Sequence, residues 1–574
     1  MDYTVKIGGA AGHGLQTIGD ALAKVFTRSG YYVFSHQDYE SRIRGGHNFY
    51  QIRFSDRPIM SSRERIDIII ALDKETVLYH AAELYEWGQI LYDSLTLKET
   101  HDGPQFFDIP FESLATEHGG SKLMGNTVAT GAVLGMIGMD TDVLFDVIRD
   151  SFKKKGDEVV QANINAASAG YKYAKIHCAR CSFVLAPLAK PKMLISGAEA
   201  IALGAIASGL KFYAAYPMTP ATGIMNYIAG HAAGFGIIVE QAEDEIAAIN
   251  MALGASFGGV RAMTGTSGGG FALMVEGLSL AAMTETPVVI ALGQRPGPAT
   301  GLPTRTEQGD LQFALYAAHG EFPRVILAPG TPEQAFHATN KAFDLAEKYQ
   351  IPVILLFDQY LGDCQWTYDA FDLTRTVYRD YRLRGETFAG IKDYWRHRYT
   401  ETGVSPLGVP GHSRHVVVTD SDEHDEKGHI VEDAETRKKM VNKRLFGKMP
   451  LIQREIAPPL LYGSEKARVV LACWGSSYGL VKEAVDTLSI DHEIAMLNFG
   501  EIFPFPSTEQ MDYLKILSRA QITICIENNA TGQFARLMRA ETGYAFTKSI
   551  NRFDGRPFML EELTGEINGF LGRV

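Results

Sequence analysis

The apolar run Ile237-Ile238-Val239-Glu240 passes straight into Gln241-Ala242-Glu243-Asp244-Glu245-Ile246-Ala247-Ala248. A short β-branched run followed by Ile and Ala at helical spacing reads as strand, turn, helix. The acids fall where the strand ends and the helix begins. A carboxylate there is favoured by the helix dipole and makes a usable N-cap, so capping alone accounts for one of them. The next strand, Arg261 to Thr266, runs into Thr264-Gly265-Thr266-Ser267-Gly268-Gly269-Gly270, where glycines let backbone approach a ligand. Pro287 to Leu292 follows and ends in a loop, Gln294 to Leu311, that holds Arg295, Thr304 and Arg305 among prolines and glycines. No acid except Glu285 lies within ten positions of Arg295. Upstream, Phe212 to Ala215 runs into Tyr216-Pro217-Met218-Thr219-Pro220. Strands alternating with helices predict a parallel sheet, and open α/β sheets take ligands beyond their strand C-termini. Four segments are therefore expected at one edge: 216–220, 240–245, 264–270 and 294–311. Their carboxylates, hydroxyls and two arginines suit an anionic small substrate and a nitrogenous cofactor.

The alternation extends both ways. Val5-Lys6-Ile7 leads into Gly8-Gly9-Ala10-Ala11-Gly12-His13-Gly14, read as a turn, then Leu15, Ile18, Leu22, Val25 and Phe26 at helical spacing with Gly30 as the C-cap glycine. Tyr31 to Phe34, Asn48 to Phe54 and Ile66 to Leu72 read as strands, and Asn126 to Met139 as a packed helix. This first unit is expected to end near residue 185, with Pro187 and Pro191 in a linker. Strands at Arg324 to Leu327 and Pro352 to Phe357 complete a second unit, 193–365. The pattern breaks over 366–460, and a third α/β unit, 461–574, holds strands at Arg468 to Cys473 and Ile522 to Ile526 and a helix at Gly479 to Leu488.

At roughly 150 residues per domain, 574 residues allow about four domains. Hydrophobic residues at 46% and charged residues at 21% exclude a disordered or fibrous chain. The net charge of −12 argues against a nucleic-acid or anionic-membrane binder. No uncharged apolar run reaches the roughly 18 residues of a membrane span, and the start lacks the layout of a signal peptide. A soluble cytoplasmic protein is expected.

Other motifs have ordinary readings. Gly9, Gly12 and Gly14 give G-x-x-G-x-G, not the dinucleotide fingerprint, so this is an anion-binding turn or a bare one. Arg42 and Arg44 are either phosphate contacts or exposed hairpin residues. Five cysteines make no disulfide framework. Cys178 and Cys181 read as an incidental pair, or else as a redox or partial metal site, because a metal or cluster generally needs four ligands. Cys473 and Cys525 read as buried strand residues. The run around Glu423, His424 and His429, with His412 and His415 upstream, reads as a solvated connection rather than a metal site.

Tyr216 to Pro220 resembles the Y-P-I-T-P motif of the α subunit of the 2-oxoacid:ferredoxin oxidoreductases, thiamine-diphosphate enzymes, with Met218 in place of Ile. The Gly297 to Leu311 loop resembles the version in 2-oxoglutarate and broad 2-oxoacid members. Glu527-Asn528-Asn529-Ala530-Thr531-Gly532-Gln533 resembles their C-terminal domain, and residues 1 to about 185 resemble the γ subunit, here fused ahead of α. The resemblance implies a γ-type α/β domain, a thiamine-diphosphate pyrimidine-binding parallel-sheet domain and a transketolase C-terminal-like domain. It implies oxidation of a 2-oxoacid, most closely 2-oxoglutarate, with coenzyme A and oxidised ferredoxin, giving acyl-CoA (succinyl-CoA), CO₂ and reduced ferredoxin, reversibly. Carried over residue by residue, Glu245 contacts the aminopyrimidine, with Glu243 and Glu240 as neighbours if the register shifts. Tyr216, Pro217 and Thr266 line the cofactor. Thr219 and Arg295 meet the substrate carboxylate, and Thr304 and Arg305 are further substrate contacts, Arg305 toward a distal carboxylate.

A Mg²⁺–diphosphate motif and a four-cysteine set are absent from the sequence. The resemblance therefore implies a β subunit carrying Mg²⁺, the diphosphate and a [4Fe–4S] cluster, in a dimer of such heterodimers, with no metal on this chain. Two other readings stay open. One is another thiamine-dependent 2-oxoacid enzyme, an aryl-pyruvate oxidoreductase or a decarboxylase. The other is a non-catalytic coenzyme A- or nucleotide-binding subunit whose live site is Gly8 to Gly14.

Overall fold

The computed structural model describes residues 1–40, 45–178, 181, 185–188 and 190–572. Arg42, Arg44, Ala179 and Arg180 lie outside the described residues. The chain forms two compact units. One comprises residues 1–195, 364–371 and 559–574, and the other residues 196–363 and 372–558. The third α/β segment is thus divided: residues up to 558 pack in the second unit and the terminal helix Leu560–Leu571 in the first. Among the described residues no helix is long and apolar enough to cross a membrane.

The first unit is built on β1 (Asp2–Ala11), β2 (Tyr32–Asp38), β3 (Gly45–Ser55), β4 (Ile66–Ala71), β5 (Leu84–Tyr92), β6 (Phe106–Asp108) and β7 (Met193–Ser196). With a strand at Gln365–Tyr368, their order is β6-β5-β4-β1-β3-β2, then 365–368, then β7. The expected parallel sheet is only half realised. β1, β4, β5 and β6 are parallel, but β1–β3 and β2–β3 are antiparallel. Six residues join β2 to β3, too few for a parallel crossover.

The expected turn at Gly8 to Ala11 is strand instead, paired Gly8 with Phe49 and Gly9 with Asn48. The chain turns at Gly12 and Gly14, which carry φ of +95° and +79°. Cys178 and Cys181, read as an incidental pair, are disulfide-bonded to each other, while Cys473 and Cys525 are buried in strands as expected.

The second unit carries the sheet that matters for the site. Its strands are β8 (Leu210–Ala215), β9 (Ile238–Gln241), β10 (Arg261–Ser267), β11 (Val288–Gln294), β12 (Val325–Leu327) and β13 (Pro352–Asp358), in the order β12-β13-β11-β10-β8-β9. All are parallel to their neighbours, and Glu501–Phe503 adds an antiparallel edge beside β12. Every residue of β10, β11 and β13 is buried, as expected where helices cover both faces. A five-stranded sheet, Leu460–Tyr462, Ile494–Phe499, Val469–Trp474, Ile522–Glu527 and Lys548–Asn551, shares this unit's core.

The expected solvated connection is partly wrong, because buried ions fasten it. Glu285 is 1% exposed and accepts from Lys443 and Lys448, with His397 Nδ1 3.1 Å away. Burial alone would raise this carboxyl, but the two lysines and His397 outweigh it and hold it well below the usual range. Arg261 and Arg382 pair with the buried Glu347. His424 is fully buried with its ring centroid 4.0 Å from that of His397, and Glu423 takes Arg437 and both contacts of Arg444. These histidines and acids fill internal roles and hold no metal-type cluster among the described residues.

Candidate active site

Because β8, β9, β10 and β11 are parallel, their C-termini share one edge, and the four expected segments emerge there. Asp244, not Glu245, caps the helix Glu245–Phe257: its Oδ1 accepts from Ala247 N at 2.7 Å. Glu245 is therefore free of capping. It is 3% exposed, and its Oε1 has no hydrogen-bond partner among the described residues. Glu240 and Glu243 are exposed. A buried polar atom without a partner carries a desolvation penalty of about 1–3 kcal/mol, so this orphaned buried carboxyl marks a place for a ligand's hydrogen-bonding atom.

The surroundings keep that place open. A Cβ on Gly270 would sit 2.1 Å from Thr266 Oγ1 and 2.4 Å from Glu245 Oε1, so only glycine leaves the carboxylate room. Thr266 is fully buried, with Oγ1 3.9 Å from Met218 Sδ and 3.4 Å from Ser267 O. Ser267 Oγ, Thr264 Oγ1, Tyr213 OH and Asp310 Oδ2 are also buried without partners among the described residues. Tyr216 is exposed, and Pro217 and Thr219 are half-buried.

Arg295 is half-buried, and its Nη1 donates to Thr219 O at 3.0 Å and Pro303 O at 3.5 Å. Both Thr219 and Arg295 thus sit together, though Thr219 engages through its carbonyl. Burial lowers the Arg295 guanidinium, and Asp310 partly restores it. The loop therefore brings an acid to Arg295 that lies fifteen positions downstream in sequence. Asp310 is pushed up to about 6 by burial, moderated by Arg295, and Glu307 to about 6 by burial and by Asp310. Arg305 is brought down to about 10 by burial and by the neighbouring Arg556.

The family model described as "Pyruvate flavodoxin/ferredoxin oxidoreductase, thiamine diP-bdg" matches residues 203–443, and "Pyruvate ferredoxin/flavodoxin oxidoreductase" matches residues 4–173. The 2-oxoacid:ferredoxin oxidoreductase subunit alpha of Saccharolobus solfataricus is 33% identical, over 98% of this chain and 97% of that protein. The chain belongs to the 2-oxoacid:ferredoxin oxidoreductase family. The 2-oxoglutarate oxidoreductase subunit KorA of Mycobacterium tuberculosis is 28% identical, over 98% of this chain and 90% of its own length. A solved 2-oxoglutarate:ferredoxin oxidoreductase from Magnetococcus marinus, with 2-oxoglutarate, coenzyme A and succinyl-CoA bound, is 31% identical. It superimposes with a TM-score of 0.90 over 99% of each chain.

Within this family member, sequence reading missed what holds the Gln294 to Leu311 loop. Gln308 is fully buried, donates to Trp474 O at 2.8 Å and accepts from Asn528 N at 2.9 Å. Gln533 donates to Gly309 O at 2.7 Å and accepts from Gln312 N at 2.9 Å. Glu527 accepts from Phe534 N, Ala535 N, Trp474 Nε1 and Asn529 Nδ2. The Glu527 to Gln533 motif, noticed only as a resemblance, is thus the clamp on the loop that carries Arg295 and Arg305. Asp310, like Glu307, stands in the sequence as an acid of the Gln294 to Leu311 loop, and its burial shows only in the fold.

Proposed function

We propose that this chain is the α subunit, with the γ portion fused ahead of it, of a 2-oxoglutarate:ferredoxin oxidoreductase. In this reading it works with a β subunit that supplies Mg²⁺, the diphosphate contacts and a [4Fe–4S] cluster. The reaction is the CoA-dependent oxidation of 2-oxoglutarate to succinyl-CoA and CO₂ with reduction of ferredoxin. The orphaned, buried Glu245 Oε1 carries the proposal, because a thiamine-type aminopyrimidine offers the ring nitrogen that such a carboxyl would meet. When bound, the cofactor would supply the nucleophilic carbon and the electron sink that decarboxylation needs. The residues present fit it: Glu245 with its cradle at Gly270, and Tyr216, Pro217 and Thr266 along the same edge.

This chain's own residues then have distinct tasks. Glu245 holds a proton at Oε1 and orients the pyrimidine. Arg295 and Thr219 position the substrate's α-carboxylate, a planar guanidinium being suited to a two-point contact. Thr304 and Arg305 read the distal carboxylate, which favours 2-oxoglutarate over pyruvate, and Arg556 beside Arg305 adds positive potential there. Residues 1–185 are assigned as the γ-type domain, 193–365 as the pyrimidine-binding domain, 366–460 as the connection and 461–574 as the transketolase C-terminal-like domain.

The test is reduction of ferredoxin by the chain assembled with its β partner, with 2-oxoglutarate or pyruvate, with and without CoA. CoA-dependent turnover that is faster with 2-oxoglutarate supports the proposal. Turnover without CoA, or preference for an aryl-pyruvate, overturns it.

A further inference from the structure

The first unit holds a second group of chemistry-bearing side chains. His47 stands at the start of β3, paired with Ala10 of β1. Asp73 and Glu75 lie just beyond β4, at the beginning of the helix Lys74–His80. One ligand atom from each of His47, Asp73 and Glu75 lies within 4.8 Å of the others. Asp73 Oδ1 is committed to Thr76 N at 2.9 Å and Thr76 Oγ1 at 2.7 Å, which leaves Oδ2 for another partner. Glu75 is exposed.

With both rings neutral, the contacts behind His47 assign its tautomer. His80 Nδ1 is 2.8 Å from Glu83 Oε1 and 3.3 Å from Lys6 Nζ; the shorter contact is to an oxygen that only accepts, which places the proton on Nδ1 of His80. His80 Nε2 is then a bare acceptor. It lies 2.8 Å from His47 Nε2, which must therefore be the donor. His47 Nδ1 is left as a lone pair, and it is buried with no hydrogen-bond partner among the described residues. Lys6 pairs with the far side of Glu83 and holds the end of the relay in place.

An imidazole with ligand atoms of two carboxylates within 4.8 Å, and with its Nε2 against a His–Glu chain, is the arrangement that supports metal-bound histidines. We propose that His47 Nδ1, Asp73 and Glu75 bind one divalent transition-metal ion, with His80 and Glu83 as positioning residues. One nitrogen and two oxygen donors suit Zn²⁺ or Mn²⁺ better than Ca²⁺ or Mg²⁺, which prefer oxygen alone. The ion would tie the start of β3 to the turn after β4.

The test uses the full, tag-free chain, stripped with a chelator, dialysed and titrated with Zn²⁺ by calorimetry, with thermal unfolding in parallel. The expected result is one equivalent bound and a Tm that rises with Zn²⁺. Asp73→Asn keeps the helix cap, and with His47→Gln and Glu75→Gln it should weaken binding most. His80→Gln should weaken it about 10–100-fold while leaving all three ligands. If His47→Gln fails to fold, the exposed Glu75→Gln decides the comparison. No stoichiometric binding, or binding unchanged in Asp73→Asn and Glu75→Gln, overturns the proposal. Binding unchanged in His80→Gln overturns the relay.

Discussion

Glu245 and Glu285 belong to one compact unit, one opening the helix Glu245–Phe257 and the other lying just after the helix Gly268–Met283, and both are almost fully buried. Their surroundings are opposite. Glu285 is saturated by Lys443, Lys448 and His397, whereas Glu245 keeps an oxygen with no partner among the described residues and a glycine that preserves the space in front of it. A buried charge is retained in a fold either because its partners are inside the protein or because a partner arrives from outside. On this comparison Glu285 serves stability and Glu245 is proposed to serve chemistry.

The largest effect should come from the saturated member. Glu285→Gln leaves two buried lysines without their counter-charge, and breaking such a cluster costs about 3–5 kcal/mol. Denaturant unfolding should show that loss, and an unaltered midpoint would remove the contrast. Arg295→Ala comes next. Loss of a desolvated carboxylate clamp costs roughly 2–5 kcal/mol, or about 30- to 5000-fold in kcat/KM. Steady-state kinetics should show 2-oxoglutarate and pyruvate affected alike, with Arg295→Lys recovering only part. Loss confined to 2-oxoglutarate would reassign Arg295 to the distal carboxylate.

A smaller effect separates the two sites by pH. Asp310 titrates at about 6 in the folded chain against an ordinary 3.8. The folded state therefore holds this proton more tightly, and stability falls as pH rises between about 4 and 6. Asp310→Asn should be more stable than the parent at pH 8, by on the order of 1–3 kcal/mol, and equal to it near pH 4. Glu285 has the opposite sign, since its carboxyl is held below the ordinary 4.5 and its contribution disappears as pH falls. Equal stability of Asp310→Asn and the parent at pH 8 would show that the loop does not bury this acid.

The second unit's sheet was legible because its strands are short, β-branched runs separated by helices, and parallel order then places their ends together. The register of the acids was not legible. Asp244 and Glu245 are adjacent, and only the cap bond to Ala247 shows which one is occupied. A hairpin at Arg42 and Arg44 was one of two readings, but the antiparallel half of this sheet was not foreseen, because alternation alone does not give strand direction; the six-residue connection does. Gln308 was invisible, since its partners Trp474 and Asn528 lie 166 and 220 residues away. The buried role of His424 was hidden in a run whose composition is that of a solvated loop.

The most direct test of the central contrast is Glu245→Gln in the assembled complex, read for activity and thermal stability on the same preparation. Glutamine keeps the size but removes the acid. The account predicts a fall of about 10²–10⁴-fold in turnover with Tm essentially unchanged. Full activity in Glu245→Gln, or inactivity appearing instead in Glu243→Gln, would contradict it.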